Sequence, residues 1–235
     1  MYSREGLRLS KVYVLAEGYT EQALVRKVLA PTLGNQGIYL HDVLVGKPGH
    51  KGGIRSFEAV KGDIKRLLKQ ENLATVTTLF DRYRLPSDWP GLALSNGQSN
   101  IEQAHAVLCQ SMHKVVCDEM GTSFRADRFI PYIQYYEIEA LLFAKPDMTA
   151  DLLGNSRHAR ELGKAVEESG GCEQINDGPA TAPSKRIEKL FSNYKKGGSI
   201  NTDLPRICSA IGLSDLRAAC PLFAKWISQL LRLDG

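Results

Sequence analysis

Through the first 150 residues, apolar runs of strand character alternate with segments of helical period, and few architectures accommodate that pattern. VYVLAE, ending at Glu17, is β-rich; Gly18 and Thr20 break it, and Thr20 is placed to cap a helix through about Leu29. Pro31 to Gly37 reads as a loop, and Tyr39 to Val45 as a second strand leading into the glycine-rich GKPGHKGG. Phe57, Val60, Ile64, Leu67 and Leu68 then mark one stripe of a helix from about Ser56 to Glu71. Thr75 to Phe80 is a third strand candidate and Phe129 to Tyr135 a fourth. Between them lie the loop RLPSDWPG and a helix over Asn100 to Met120. Alternation of this kind predicts an α/β fold, with a mostly parallel central sheet flanked by helices and right-handed crossovers. Beyond residue 150 the pattern turns to helices and loops. Residues 1–150 are therefore expected to form the α/β domain, and 151–235 a helical C-terminal cap packed on it.

Several function classes drop out early. No apolar run approaches the roughly 20 residues needed to span a bilayer, and MYSREGLRLS lacks a signal peptide's apolar stretch, so the expected location is the cytoplasm, with no membrane partner. Five cysteines with no CxxC pair argue against a disulfide framework and a structural zinc site. The histidines form no HxxxH or HxH pair. GKPGHKGG lacks the GxxxxGK[ST] order of an ATP-binding loop, and no GxSxG appears.

Acidic residues end or follow the apolar runs. Glu17 closes the first strand, Asp81 the third, and Glu137 and Glu139 follow the fourth in QYYEIEALLF. Ligands of open α/β sheets bind beyond the carboxyl ends of the strands, so folding is expected to gather these acids at one edge. Clustered carboxylates repel one another unless a cation neutralises them, which points to a divalent metal. Glu21, four residues after Glu17, reaches the same point near a helix start, or is simply a favourable first-turn acid. Asp81 has the alternative of a turn-initiating aspartate. EIEALLFA continues the strand or starts a helix; if extended, Glu137 and Glu139 share one face.

Net charge is only +4, yet basic residues concentrate in two places. Lys47, Lys51 and Arg55 belong to one segment, where the glycines let backbone approach a phosphate; a plain flexible basic loop is the alternative. Lys185 and Arg186 fall in the first turn of a helix in APSKRIEKLF, with Ser184 a reasonable cap. Cations there oppose the helix dipole, a hint of an anionic partner. Two basic flanks around an acidic centre suit a nucleic acid held against metal ions, and solvated helix faces are the bland reading.

The order EGxTE, an aspartate ending the third strand, an ExE pair and a PSKR lysine resembles the TOPRIM nucleases, closest to the overcoming-lysogenization-defect (OLD) type. EGYTEQ, FDRYRLP, QYYEIEALLF, INDGPATAPSKRIEKLF and CPLFAKWISQL also resemble a bacterial TOPRIM-like family described only as a domain of unknown function. The resemblance implies a TOPRIM-like sheet and a Mg²⁺- or Mn²⁺-dependent nuclease with two ions. Glu17, Glu21, Asp81, Glu137 and Glu139 become metal ligands or base, and Lys185 the cation that assists phosphodiester cleavage of DNA or RNA. Lys47, Lys51, Arg55 and Arg186 would contact the polymer. Tyr83 stands where a second acid would complete a DxD pair, a departure from topoisomerase- and primase-like sites. The resemblance also implies anti-phage defence beside an ABC/SMC-type ATPase. Two other readings stay open: a non-catalytic nucleic-acid-binding or regulatory subunit, and a small phosphoester or nucleotidyl-transfer enzyme on the same scaffold.

Overall fold

A computed structural model describes residues 9–46, 52–175, 178, 180–195 and 198–234. β1 (Ser10–Ala16) lies at the centre of the sheet, between β2 (Ile38–Leu44) and β3 (Thr75–Asp81). On its outer side β3 carries two short strands, β4 (Phe129–Ile130) and β5 (Ile133–Gln134). Every pairing is parallel, with Ala16 opposite Leu44 on one side and Leu79 on the other. The carboxyl ends of β1, β2 and β3 are therefore level, the condition for a site at that edge.

Each crossover is helical. α1 (Tyr19–Leu24) runs through a π turn, Val25–Leu29, into α2 (Ala30–Gly34) and returns the chain to β2. The expected helix end at Leu29 is thus passed, and the expected loop from Pro31 is helical as far as Gly34. A proline inside a helix lacks an N–H and clashes with the carbonyl four residues back. The wider π turn just upstream accommodates Pro31, with the Ala30 N–H bonding to the Val25 carbonyl. The cap also differs from expectation: Gly18, not Thr20, is the N-cap. α3 (Phe57–Gln70), capped by the Ser56 hydroxyl, joins β2 to β3. α4 (Leu92–Asn96) and α5 (Ile101–Met120), capped by Asn100, precede β4.

Pro131 splits the expected fourth strand in two without changing register, since Thr77 faces Ile130 and Phe80 faces Ile133. Threonine side chains on β3 bridge the gap. Thr77 donates to the Ile130 carbonyl, and the Thr78 hydroxyl donates to the Tyr132 carbonyl and accepts the Tyr132 N–H. EIEALLFA is not extended: a 3₁₀ helix spans Ile138–Ala144, so Glu137 and Glu139 do not share a strand face. The rest of the chain is helical, with α6 (Pro146–Leu152), α7 (Ala159–Ser169), α8 (Pro183–Leu190), α9 (Ile200–Ile211), α10 (Leu213–Ala219) and α11 (Pro221–Leu231).

Side chains alternate across β1. Tyr13 and Leu15 join a core with α3 and α5, while Val12 and Val14 join one with α1, α9 and α11. Trp226 of α11 ties the C-terminal helices to the sheet, stacking on Tyr132 (centroids 4.5 Å apart) and donating its indole N–H to Thr77 at 2.8 Å. Glu173 fixes the start of α11 by accepting the amides of Leu222 (2.7 Å) and Phe223 (3.0 Å). Burial raises the Glu173 carboxyl to about 7, against the pull of those two amides. No described helix is long and apolar enough to cross a membrane.

Candidate active site

Glu17 is the first residue past β1 and Asp81 the last of β3. The sheet extends one step beyond its strands here, because the Glu17 N–H bonds to the Leu79 carbonyl at 3.2 Å and the Gly53 N–H to the Glu17 carbonyl at 2.9 Å. Glu17 Oε2 accepts the backbone N–H of Asp81 at 3.2 Å. One acid thereby positions the other. Glu21, in the first turn of α1, reaches back to the Gly18 N–H at 2.8 Å, the reciprocal half of a capping box. A Cβ at Gly18 would lie 3.1 Å from that Glu21 oxygen, so glycine leaves the carboxylate room.

A backbone kink delivers the fourth acid. Tyr136 has φ of 69°, the one positive φ on a non-glycine among the described residues, and it turns the chain from β5 into the 3₁₀ helix. Glu139 then lines the cavity, while Glu137 accepts the Ser184 N–H at 3.0 Å at the start of α8. Ala182 is the N-cap of α8, and Ser184, expected as its cap, lies inside the helix. Tyr194 is buried close enough to both glutamates that burial first, and then their charges, push its phenol far up.

Glu17, Glu21, Asp81 and Glu139 line one cavity of about 250 Å³ at the carboxyl edge of the sheet. All four are only 2–6% exposed. The Glu21 carboxyl is raised to about 7, chiefly by burial and next by the Glu17 charge, while its own and the Gly18 backbone amides and Arg84 pull it down. Sequence reasoning missed two further lining residues. Arg84 ends the 3₁₀ turn after β3, and Asn201 of α9 accepts the Thr20 hydroxyl at 2.7 Å, closing the cavity from the C-terminal region. Arg84 was visible in FDRYR as one of two arginines; nothing local marked Asn201.

The other expected site residues that the structure describes lie apart from this cavity. Lys185 is half-exposed and pairs with Glu188 at 2.6 Å. Arg186 bonds the Thr181 carbonyl and lines a different cavity beside α7. Arg55 is exposed two residues after Gly53, which does line the acidic cavity, and Lys47 and Lys51 fall outside the described residues. Tyr83 is exposed, its N–H directed to the Tyr136 carbonyl.

In kind, four carboxylates fit a hard divalent cation. In arrangement they stand around the cavity wall: among the described residues no three acidic, histidine or cysteine side chains close on one point as a metal-binding group. Burial and mutual repulsion nonetheless favour a proton or a cation between Glu17 and Glu21.

Comparison with curated proteins and with solved structures finds no match. The family model described as "Domain of unknown function (DUF4276)" matches residues 16–231, from the end of β1 to the end of α11, and the chain therefore belongs to that family.

Proposed function

We propose that this protein is a metal-dependent nuclease that hydrolyses phosphodiester bonds of DNA or RNA. One observation carries the reading: four buried carboxylates from three separate segments line one cavity at the carboxyl edge of a parallel sheet. Glu17, Glu21, Asp81 and Glu139 would hold Mg²⁺ or Mn²⁺, and two such ions would supply Lewis-acid activation of water and stabilisation of the leaving oxygen. The chain's own residues do the rest. The Asp81 amide orients Glu17, and the Gly18 amide orients Glu21. With its carboxyl near 7, Glu21 is able to hold or release a proton at Oε1 or Oε2 close to neutral pH. Arg84 brings positive charge to the cavity lining, the part that the resemblance gives to Lys185. Arg55 and the basic segment before it would receive the polymer backbone. The resemblance supports a role in anti-phage defence, with an ABC/SMC-type ATPase as partner, and the sequence expectation of a cytoplasmic location is in keeping with it.

The test is cleavage of plasmid DNA, single-stranded DNA and tRNA with Mg²⁺, with Mn²⁺ and with EDTA. Cutting is expected with metal only, and Glu17→Gln or Asp81→Asn is expected to lower it by about 10³-fold with thermal unfolding unchanged. Metal-dependent cutting that survives in both variants rejects the assignment. The open arrangement of the acids favours a second reading, a nucleic-acid-binding subunit without catalysis. Calorimetry that finds nucleic-acid affinity but no saturable metal uptake would select it.

A further inference from the structure

A second concavity, larger than the acidic one and sharing no lining residue with it, runs between α5 and α11 beside β4. Its volume of about 630 Å³ falls within the range of small-ligand pockets, about 300–1,000 Å³. Phe129, Tyr132 and Trp226 form its base, each at most 2% exposed, and the polar atoms of the last two are engaged inward. The Tyr132 hydroxyl donates to Gln134 at 2.7 Å and the Trp226 indole to Thr77 at 2.8 Å. Above that base the half-buried Ala106, Ile130, Pro131 and Leu233 give the groove its accessible apolar surface, beside the polar Gln110, His113 and Gln229. On the α5 wall His105 and Cys109, one helical turn apart, contact each other at 3.5 Å. Burial, and next the charge of Lys225, hold His105 down at about 4, so its ring is uncharged at neutral pH.

The opposite rim is cationic. Lys225 and Arg232 lie seven residues apart, two turns along the C-terminal helical segment, and both are exposed and line the groove. Among the described residues neither side chain has an ion pair or hydrogen bond. The one carboxylate in the lining, Asp127, is held by Arg125 at 2.6 Å. An apolar floor with two uncommitted cations on its rim selects a ligand with an apolar body and a negative head.

We propose that this groove binds a small amphipathic organic anion, its apolar or aromatic body against Ala106, Ile130, Pro131 and Leu233 above the buried Phe129, Tyr132 and Trp226, and its carboxylate, sulfonate or phosphate between Lys225 and Arg232. The probe is 1-anilinonaphthalene-8-sulfonate, titrated by fluorescence against the native protein beside its uncharged analogue N-phenyl-1-naphthylamine. Saturable binding at one site is expected. Reversing both charges in Lys225→Glu/Arg232→Glu is expected to weaken the sulfonate by about tenfold or more and leave the uncharged probe unaffected. Ala106→Trp, which fills the groove from α5, is expected to remove both. Exposed positions 225 and 232 keep the charge variant folded, as its thermal unfolding midpoint will report. Non-saturable binding, or equal affinity for the sulfonate in wild type and charge variant, overturns the proposal. So does self-association that Ala106→Trp abolishes in a protein that never binds the sulfonate, since the groove would then belong to contact between copies.

Discussion

The Glu17 carboxylate accepts the backbone amide of Asp81 at 3.2 Å, so two acids 64 residues apart in the chain are linked before any ligand arrives. That bond makes Glu17 structural as well as chemical. Glu17→Ala leaves a buried amide without its acceptor and is expected to destabilise the protein by about 1–3 kcal/mol. Glu17→Gln keeps an acceptor oxygen and should cost far less. Urea unfolding of the two variants in EDTA checks the difference, and equal losses would refute the bond's role.

Glu21 gives the cavity a pH signature. Its folded carboxyl is raised to about 7 from the model-compound 4.5, so the native state binds this proton more tightly than the unfolded chain. Stability from this source is full below about pH 4.5 and is lost as pH rises through about 7, a change of roughly 3 kcal/mol. Glu173, raised in the same direction, adds to the slope. Glu21→Gln is expected to reduce the dependence between pH 5 and 8 in EDTA to the part that Glu173 leaves. Mn²⁺ should raise the unfolding midpoint of the wild type more at pH 8 than at pH 5, and an equal effect at both would count against a metal at this carboxylate.

Arg84 and Lys185 make opposing predictions for the cation that assists cleavage. Arg84 lines the acidic cavity, whereas Lys185 is paired with Glu188 outside it. Arg84→Ala is expected to lower kcat/KM by on the order of 10²-fold, with Lys185→Ala close to wild type. Steady-state cleavage of one labelled oligonucleotide decides between them.

Glu173 accepts two amides at the start of α11, the helix that carries Trp226 to the sheet. Glu173→Ala is expected to cost about 2 kcal/mol in urea unfolding followed by tryptophan fluorescence, and Glu173→Gln less, because it keeps one oxygen acceptor.

Much of this architecture was legible in the sequence. The stripe of Phe57, Val60, Ile64, Leu67 and Leu68 and the helical spacing over Asn100 to Met120 give α3 and α5 nearly to the residue. Strand ends placed Glu17 and Asp81 together because parallel pairing levels them. Where the reading failed, the cause was not local. Pro31 argues for a helix end unless an upstream π turn makes room for it. Glu137 and Glu139 looked equivalent because two-residue spacing means one face only in extended chain. The left-handed Tyr136 and the 3₁₀ helix after it send one to α8 and the other to the cavity. Asn201 reaches the site only through the packing of α9 on α1, which no motif announces.

Pro131 has a consequence for behaviour at high concentration. It interrupts the outermost row of the sheet between β4 and β5, removing a donor where a stray chain would otherwise continue the ladder. The two threonines of β3 occupy the Ile130 and Tyr132 groups from the inner side. That margin offers no unbroken template for cross-chain zippering, and Pro131→Val is expected to speed fibrillar clumping, as thioflavin fluorescence would report.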